Sequence, residues 1–155
     1  MDETAEAKLN RGPVLCLDLG ARRVGAAVSD PTLIAITRLK ALRRSNWKQL
    51  LLDVAELVRH YDAKSLVIGF PIKLDGGEGS AATETRKIAQ KFALSLKIPI
   101  YLQNESLTSV AAEERLRAAG HRAEEIPGLI DSESAAIILN DFINTDNRRL
   151  LLSVS

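Results

Sequence analysis

Asp18 interrupts an otherwise apolar run, Val14-Leu-Cys-Leu-Asp18-Leu, and a carboxylate there is costly unless something pairs with it. Two residues on, Gly20 removes a side chain where a ligand would have to approach the backbone. Arg22 and Arg23 follow, before a second apolar run from Val24. An acid, a glycine and two guanidinium groups so close together suit a metal ion or a phosphate held at a sheet edge. Two more acids stand in comparable places. Glu105 closes another apolar run, beside Asn104, and Asp131 stands at the expected start of the last helix. There the positive end of the helix dipole tolerates a carboxylate. Taken singly, these acids also have plain structural readings, a turn cap for Asp18 and an N-cap for Asp131.

Hydrophobic periodicity outlines the elements that must carry them. Val14–Leu19 and Val24–Ser29 read as strands joined by the tight Gly20–Arg23 turn, hence an antiparallel hairpin, with Leu33–Leu39 a third strand. Trp47, Leu50, Leu51, Val54, Leu57, Val58 and Tyr61 form a stripe at the 3.6-residue period of a helix. Ser65–Gly69 reads as a buried strand. A Gly-rich loop, Asp75–Gly79, then leads into a helix burying Thr85, Ile88, Ala89, Phe92 and Leu96. Ile98–Gln103 is a fifth strand, and helices over Thr108–Ala119 and Ser132–Asn144 follow, the first stopped by Gly120. Three meandering strands followed by alternating helices and strands predict an α/β fold. Its five-stranded mixed sheet would have three antiparallel strands, then parallel crossovers, and helices on both faces. Ligands of such sheets sit at the carboxyl ends of strands near a topological switch. Asp18 and Glu105 stand at such ends, and Asp131 could join them.

At 155 residues the chain fits one domain, expected over 13–145, with a disordered N-terminal tail at 1–12 and a C-terminal tail at 146–155. No apolar stretch approaches the roughly 20 residues of a membrane span, and the polar N-terminus is no secretory signal. The lone Cys16 excludes an internal disulfide and reads as a buried hydrophobe. The expected location is therefore cytoplasmic. A net charge of +1 hides an uneven distribution: Arg38, Lys40, Arg43, Arg44 and Lys48 fall between Pro31 and Leu52 with no acid among them. That stretch suits a phosphate-binding footprint or a solvated approach to a helix. The closing Leu150-Leu151-Leu152 is an apolar tail suited to docking on a neighbouring surface.

Four segments together resemble the YqgF family, also called RuvX, described as pre-16S rRNA nucleases with an RNase H-like fold. The opening motif stands as Asp18-Leu-Gly20-Ala-Arg-Arg23-Val-Gly25-Ala-Ala-Val-Ser29-Asp30. The second runs Ile68-Gly69-Phe70-Pro71 into the loop ending at Gly79, and the third is Asn104-Glu105-Ser106-Leu107-Thr108-Ser109. The last is Asp131-Ser-Glu-Ser-Ala135-Ala136-Ile-Ile138-Leu139. Asn104 and Ser106 replace an Asp and an Arg of the family's third motif. Ser134 stands where related junction resolvases carry a fourth carboxylate. Glu133 is no substitute, since two helical positions turn it about 200° from Asp131.

The resemblance implies a metal-dependent nuclease that hydrolyses RNA phosphodiesters in 5′-end maturation of pre-16S rRNA. Asp18, Glu105 and Asp131 would be both the catalytic residues and the ligands of Mg²⁺ or Mn²⁺, two ions in all. Asp18 would bridge them. Nucleic-acid contacts are expected from Gly20, Arg22, Arg23, Lys73, Arg43 and Arg44. The partner would be pre-rRNA, with branched DNA as the alternative, and the chain would act as a monomer or homodimer without a membrane. Two alternatives stay open: a Holliday-junction resolvase, and a non-catalytic nucleic-acid-binding module of the same fold.

Overall fold

A computed structural model describes residues 12–73, 75, 77–105, 114–122, 126–144 and 151–152. The expected N-terminal tail, apart from Gly12, lies outside the described residues, as does the first part of the helix expected over Thr108–Ala119. The strands are β1 (Val14–Leu19), β2 (Arg23–Ser29), β3 (Ile36–Arg43), β4 (Ser65–Pro71), β5 (Ile100–Glu105) and β6 (Leu151–Leu152). The helices are α1 (Trp47–Tyr61), α2 (Ser80–Ser95) and α3 (Ile126–Asn144). They build one sheet of order β3-β2-β1-β4-β5-β6. β1, β2 and β3 are antiparallel, β1 pairs parallel with β4, and β4 pairs parallel with β5. This is the expected mixed sheet with one addition. Leu151–Leu152 pairs antiparallel along the outer edge of β5, so these two residues extend the chain's own sheet.

The β1–β2 hairpin forms as the sequence predicts, with Asp18 opposite Gly25. β3 starts later than expected because Asp30 organises the residues before it. Its carboxylate accepts the amides of Ile34 and Ala35 at 2.7 and 2.9 Å and the Thr32 hydroxyl. Leu33 takes the left-handed region at φ 62° inside this turn, so extended pairing begins only at Ile36. These bonds, the Thr32 hydroxyl first, hold the Asp30 carboxyl below its ordinary value. Asp30 is thus a turn-former away from the other acids. At the far end of the strand, Val24 faces Leu42 but Ala26 faces Leu39, a bulge that gives β3 one extra residue around Lys40–Ala41.

Strand alternation then divides the core. Leu15 and Leu17 of β1 face α1 and α2, joining Leu50, Val54, Ala89 and Phe92. Val14 and Cys16 face the other way, against Ala135, Ile138, Leu139 and Phe142 of α3. Each fully buried Leu, Ile or Phe here contributes about 1.5–3 kcal/mol relative to exposure. Asn46 caps α1 by accepting the Gln49 amide at 2.9 Å, and Asp62 ends it at φ 51°. Residues 114–118 are helical and stop at Gly120, whose φ of 91° is the left-handed ending glycine favours.

A polar clamp fastens this helical stretch and β3 to α3. Glu133, almost fully buried, takes a two-pronged ion pair from Arg38 and a second pairing from Arg115 at 3.5 Å. Next to it, Ser132 Oγ donates to the Leu39 carbonyl. The Arg38 bond holds the Glu133 carboxyl below the ordinary glutamate range. Folding is therefore favoured above the unfolded-state value near 4.5, and that contribution is lost as pH falls through the lower folded value. Glu133→Gln should destabilise the fold by about 1–2 kcal/mol, since Arg38 and Arg115 keep access to water. Urea denaturation at pH 7 and pH 4 checks this, with the difference from wild type shrinking at the lower pH.

Candidate active site

The alternation that buries Cys16 against α3 carries on to Asp18, so its carboxylate rises toward the same helix from the end of β1. Opposite it, Gly25 lets that helix descend onto the sheet. A Cβ at Gly25 would lie 1.9 Å from the Asp131 carbonyl oxygen and 3.0 Å from the Ser132 nitrogen. Helix backbone therefore rests directly on strand backbone, and Asp131 is delivered beside Asp18. Burial, and next the Asp131 charge, push the Asp18 carboxyl from 3.8 up to about 6. A largely buried carboxylate beside a second, partly exposed one is the electrostatic centre of the site.

One sequence expectation needs correction here. Asp131 does not stand at the start of the last helix, because α3 already begins at Ile126 and Asp131 lies in its second turn. Pro127 and Gly128 look like breakers in sequence, but proline without its N–H is well suited to a first helical turn. The N-cap explanation for Asp131 is thereby removed. What holds its carboxylate is Arg23, whose Nε donates to Oδ2 at 2.8 Å.

The turn between Asp18 and Arg23 is built around Gly20. Its amide donates to the Arg23 carbonyl at 3.0 Å, and a Cβ there would meet that same oxygen at 2.6 Å. Its carbonyl accepts Arg44 Nη1 at 2.8 Å, and Arg44 Nη2 continues to Glu84 of α2. Glu105 arrives from β5, where it pairs with Pro71 of β4. Its Oε2 lies 2.6 Å from where a Cβ of Gly69 would be, so this glycine makes room for the carboxylate. The buried Cys16 thiol is pushed up by desolvation, then by Asp18, then by Glu105, which places both carboxylates over it. The three acids thus share one end of the sheet. Among the described residues, however, no three His, Cys, Asp or Glu side chains converge into a preformed metal cage.

The basic residues divide. Arg22, Arg23 and Arg43, with Lys40, line a groove of about 810 Å³ whose other walls include Asp53, Leu57 and Tyr61. Arg44 turns inward and holds the Gly20 turn, a role its position next to Arg43 did not reveal. Lys73 lies on the other side of the site, in the loop before α2. Its amide donates to the Gly77 carbonyl at 2.8 Å, and its stem runs past Gly79. The sequence offers Arg38 and Lys40 only as members of the basic run and gives Ser132 no role. Because of this division, Arg43→Glu should weaken nucleic-acid binding and flatten its salt dependence by about one to two ions. Arg44→Ala should leave that slope nearly unchanged and instead lower turnover about tenfold by loosening the turn that carries Asp18. Binding isotherms across a salt series, beside single-turnover rates, separate the two.

A mixed sheet of this order, three antiparallel strands and then parallel crossovers with helices on both faces, is an RNase H-like fold, the fold that RuvC shares. T. thermophilus RuvC in complex with a Holliday junction substrate superposes with a TM-score of 0.55 at 13% identity, covering 90% of this chain and 98% of that one. A second Thermus thermophilus RuvC structure gives 0.53 at 13% identity, over 91% and 100%. Within that fold the chain belongs to the RuvX (YqgF) family, whose family model, described as Holliday junction resolvase, matches residues 12–145. It is accordingly a nuclease, a hydrolase of phosphodiester bonds. A protein from Anaeromyxobacter sp. (strain Fw109-5) is 35% identical over 130 residues, 84% of this chain and 95% of its own length. One from Roseiflexus sp. (strain RS-1) is 34% identical over 134 residues, 86% and 95% respectively. Both carry the name "Putative pre-16S rRNA nuclease". No helix among the described residues is long and apolar enough to cross a membrane.

Proposed function

We propose that this nuclease hydrolyses RNA phosphodiester bonds in a reaction that requires Mg²⁺ or Mn²⁺, and that its substrate is the 5′ end of the small-subunit rRNA precursor in the cytoplasm. The carrying observation is Asp18: a largely buried carboxylate, pushed to about 6, facing a second carboxylate on a helix seated directly on the sheet. A fold holds such a pair at a cost, and a divalent cation between oxygen donors would relieve it. The donor set fits that ion. Asp18 and Asp131 would hold it with Glu105 beside them, all hard oxygen ligands suited to Mg²⁺ or Mn²⁺. A bound cation would supply charge stabilisation at the scissile phosphate and a more acidic water.

The chain's own groups account for the rest. Gly20 keeps a side chain away from Asp131, whose Oδ1 lies 3.7 Å from where a Cβ would be, so a phosphate can approach closely there. Arg22 and Arg43, which line the groove against α1, would present planar guanidinium forks that match phosphate oxygens of the strand. RNA as substrate rests on the names of the relatives, and the RuvC likeness supports the fold. The test is cleavage of end-labelled single-stranded RNA, pre-rRNA 5′ fragments and a four-way DNA junction in Mn²⁺, Mg²⁺ or EDTA. Metal-dependent cutting of the RNAs is expected. Cutting of the junction alone would move the assignment to a resolvase, and inertness toward all three would leave a binding module.

A further inference from the structure

We propose that Arg23 is an exchangeable counter-ion, shared between Asp131 and a phosphate of the bound strand, so that strand binding uncovers Asp131 for the reaction. This rests on the nuclease reading and adds an order of events to it. Arg23 belongs to two places at once. Its Nε is bonded to Asp131 Oδ2 at 2.8 Å, its side chain is 49% exposed, and the residue stands among those that line the groove with Arg22, Lys40 and Arg43. Among the described residues that line it, Asp53 is the one acid, so the groove's charge suits a polyanion.

Two other arginines near the site are held in structural bonds. Arg38 pairs with Glu133, whose side chain is 6% exposed, and Arg44 is tied to the Gly20 carbonyl and Glu84. Arg23 alone among the three pairs with a site carboxylate through a half-exposed bond. Such pairs are weak and readily exchanged. An arginine bond to phosphate is charge-assisted like the one it replaces and can be two-pronged, so an incoming phosphate competes on at least equal terms. While Arg23 stays on Asp131, it covers one oxygen and sets a positive charge where a cation would bind. Once it moves to phosphate, Asp131 regains both oxygens. Strand and cation then favour each other, and linkage makes that coupling reciprocal.

The test needs no turnover. Binding of a labelled single-stranded RNA is measured in EDTA over a salt series for wild type, Asp131→Asn, Arg23→Gln and the double variant. Freeing Arg23 by Asp131→Asn should tighten RNA binding several-fold and steepen the salt dependence by about one ion. In the Arg23→Gln background the same substitution should give no gain. An equal gain in both backgrounds would reduce the effect to a general change of field and overturn the exchange. Calorimetry with Mn²⁺ alone gives a second reading that does not depend on the Asp131 variant folding. Arg23→Gln should bind Mn²⁺ several-fold more tightly than wild type. Weaker binding would make Arg23 a mere positioner of Asp131 and sink the proposal. A wild type that binds neither RNA nor Mn²⁺ would overturn the nuclease reading itself, whereas binding indifferent to Arg23 overturns the exchange alone.

Discussion

Asp18→Asn should lower cleavage by about a thousandfold or more while raising the melting temperature of the metal-free protein. The second half follows from the cost of keeping this carboxylate. Its folded-state value is about 6, against an ordinary 3.8, because burial and the neighbouring Asp131 both disfavour the anion. Between those values the folded chain binds the proton more tightly than the unfolded chain. Stability is therefore greatest below about 4 and falls as pH rises toward about 6, leaving the fold about 1–3 kcal/mol poorer at neutrality. Asparagine keeps the shape without the charge, so the variant should melt several degrees higher at pH 7 in EDTA. It should also lose the decline in stability between pH 4 and 6. Thermal scans across that range, run beside cleavage assays, read both effects. Undiminished turnover would remove Asp18 from the site, and an unchanged pH profile would contradict its burial as an anion.

Gly25→Ala should be as severe for a different reason. The added methyl would fall 1.9 Å from the Asp131 carbonyl oxygen and 2.3 Å from its carbon, and backbone atoms of a packed helix cannot rotate aside. Either α3 lifts from the sheet or β2 leaves its register with β1. The expected loss is at least about 3 kcal/mol, at the upper end of overpacking penalties, with cleavage and Mn²⁺ binding lost together. Gly120→Ala is the informative contrast. Nothing lies within 4 Å of a Cβ there, so only the left-handed φ of 91° is strained. Its cost should stay at about 1–2 kcal/mol with the site intact. Urea midpoints and Mn²⁺ titrations of the two variants distinguish steric displacement of the helix from local backbone strain.

Sequence patterns carried the hairpin, the helix stripes and the parallel crossovers because each rests on local periodicity. Asp18 was legible for the same reason, as a charge breaking an apolar alternation that has to end at a sheet edge. The start of α3 was not. Pro127 and Gly128 disfavour helix interiors, and nothing local says that they occupy a first turn instead. Nor could adjacent arginines be told apart. Beyond the bulge around Lys40–Ala41 the alternation of β3 shifts, and Arg43 and Arg44 part toward the groove and toward Gly20. The Arg23–Asp131 bond spans 108 residues and exists only once α3 has settled on Gly25. Helical geometry turns Glu133 away from Asp131 in the sequence, but its clamp on Arg38 and Arg115 required the packed structure to be seen.

Cys16 is the chain's single thiol, fully buried beneath Asp18 and Glu105 and held protonated by its surroundings. In the closed molecule it is inert to alkylating and oxidising reagents. Its reaction rate therefore counts the excursions in which α3 parts from β1. Nature has placed a clock under the acids: any ion that fastens the helix to the sheet should slow it, without a label being introduced anywhere else.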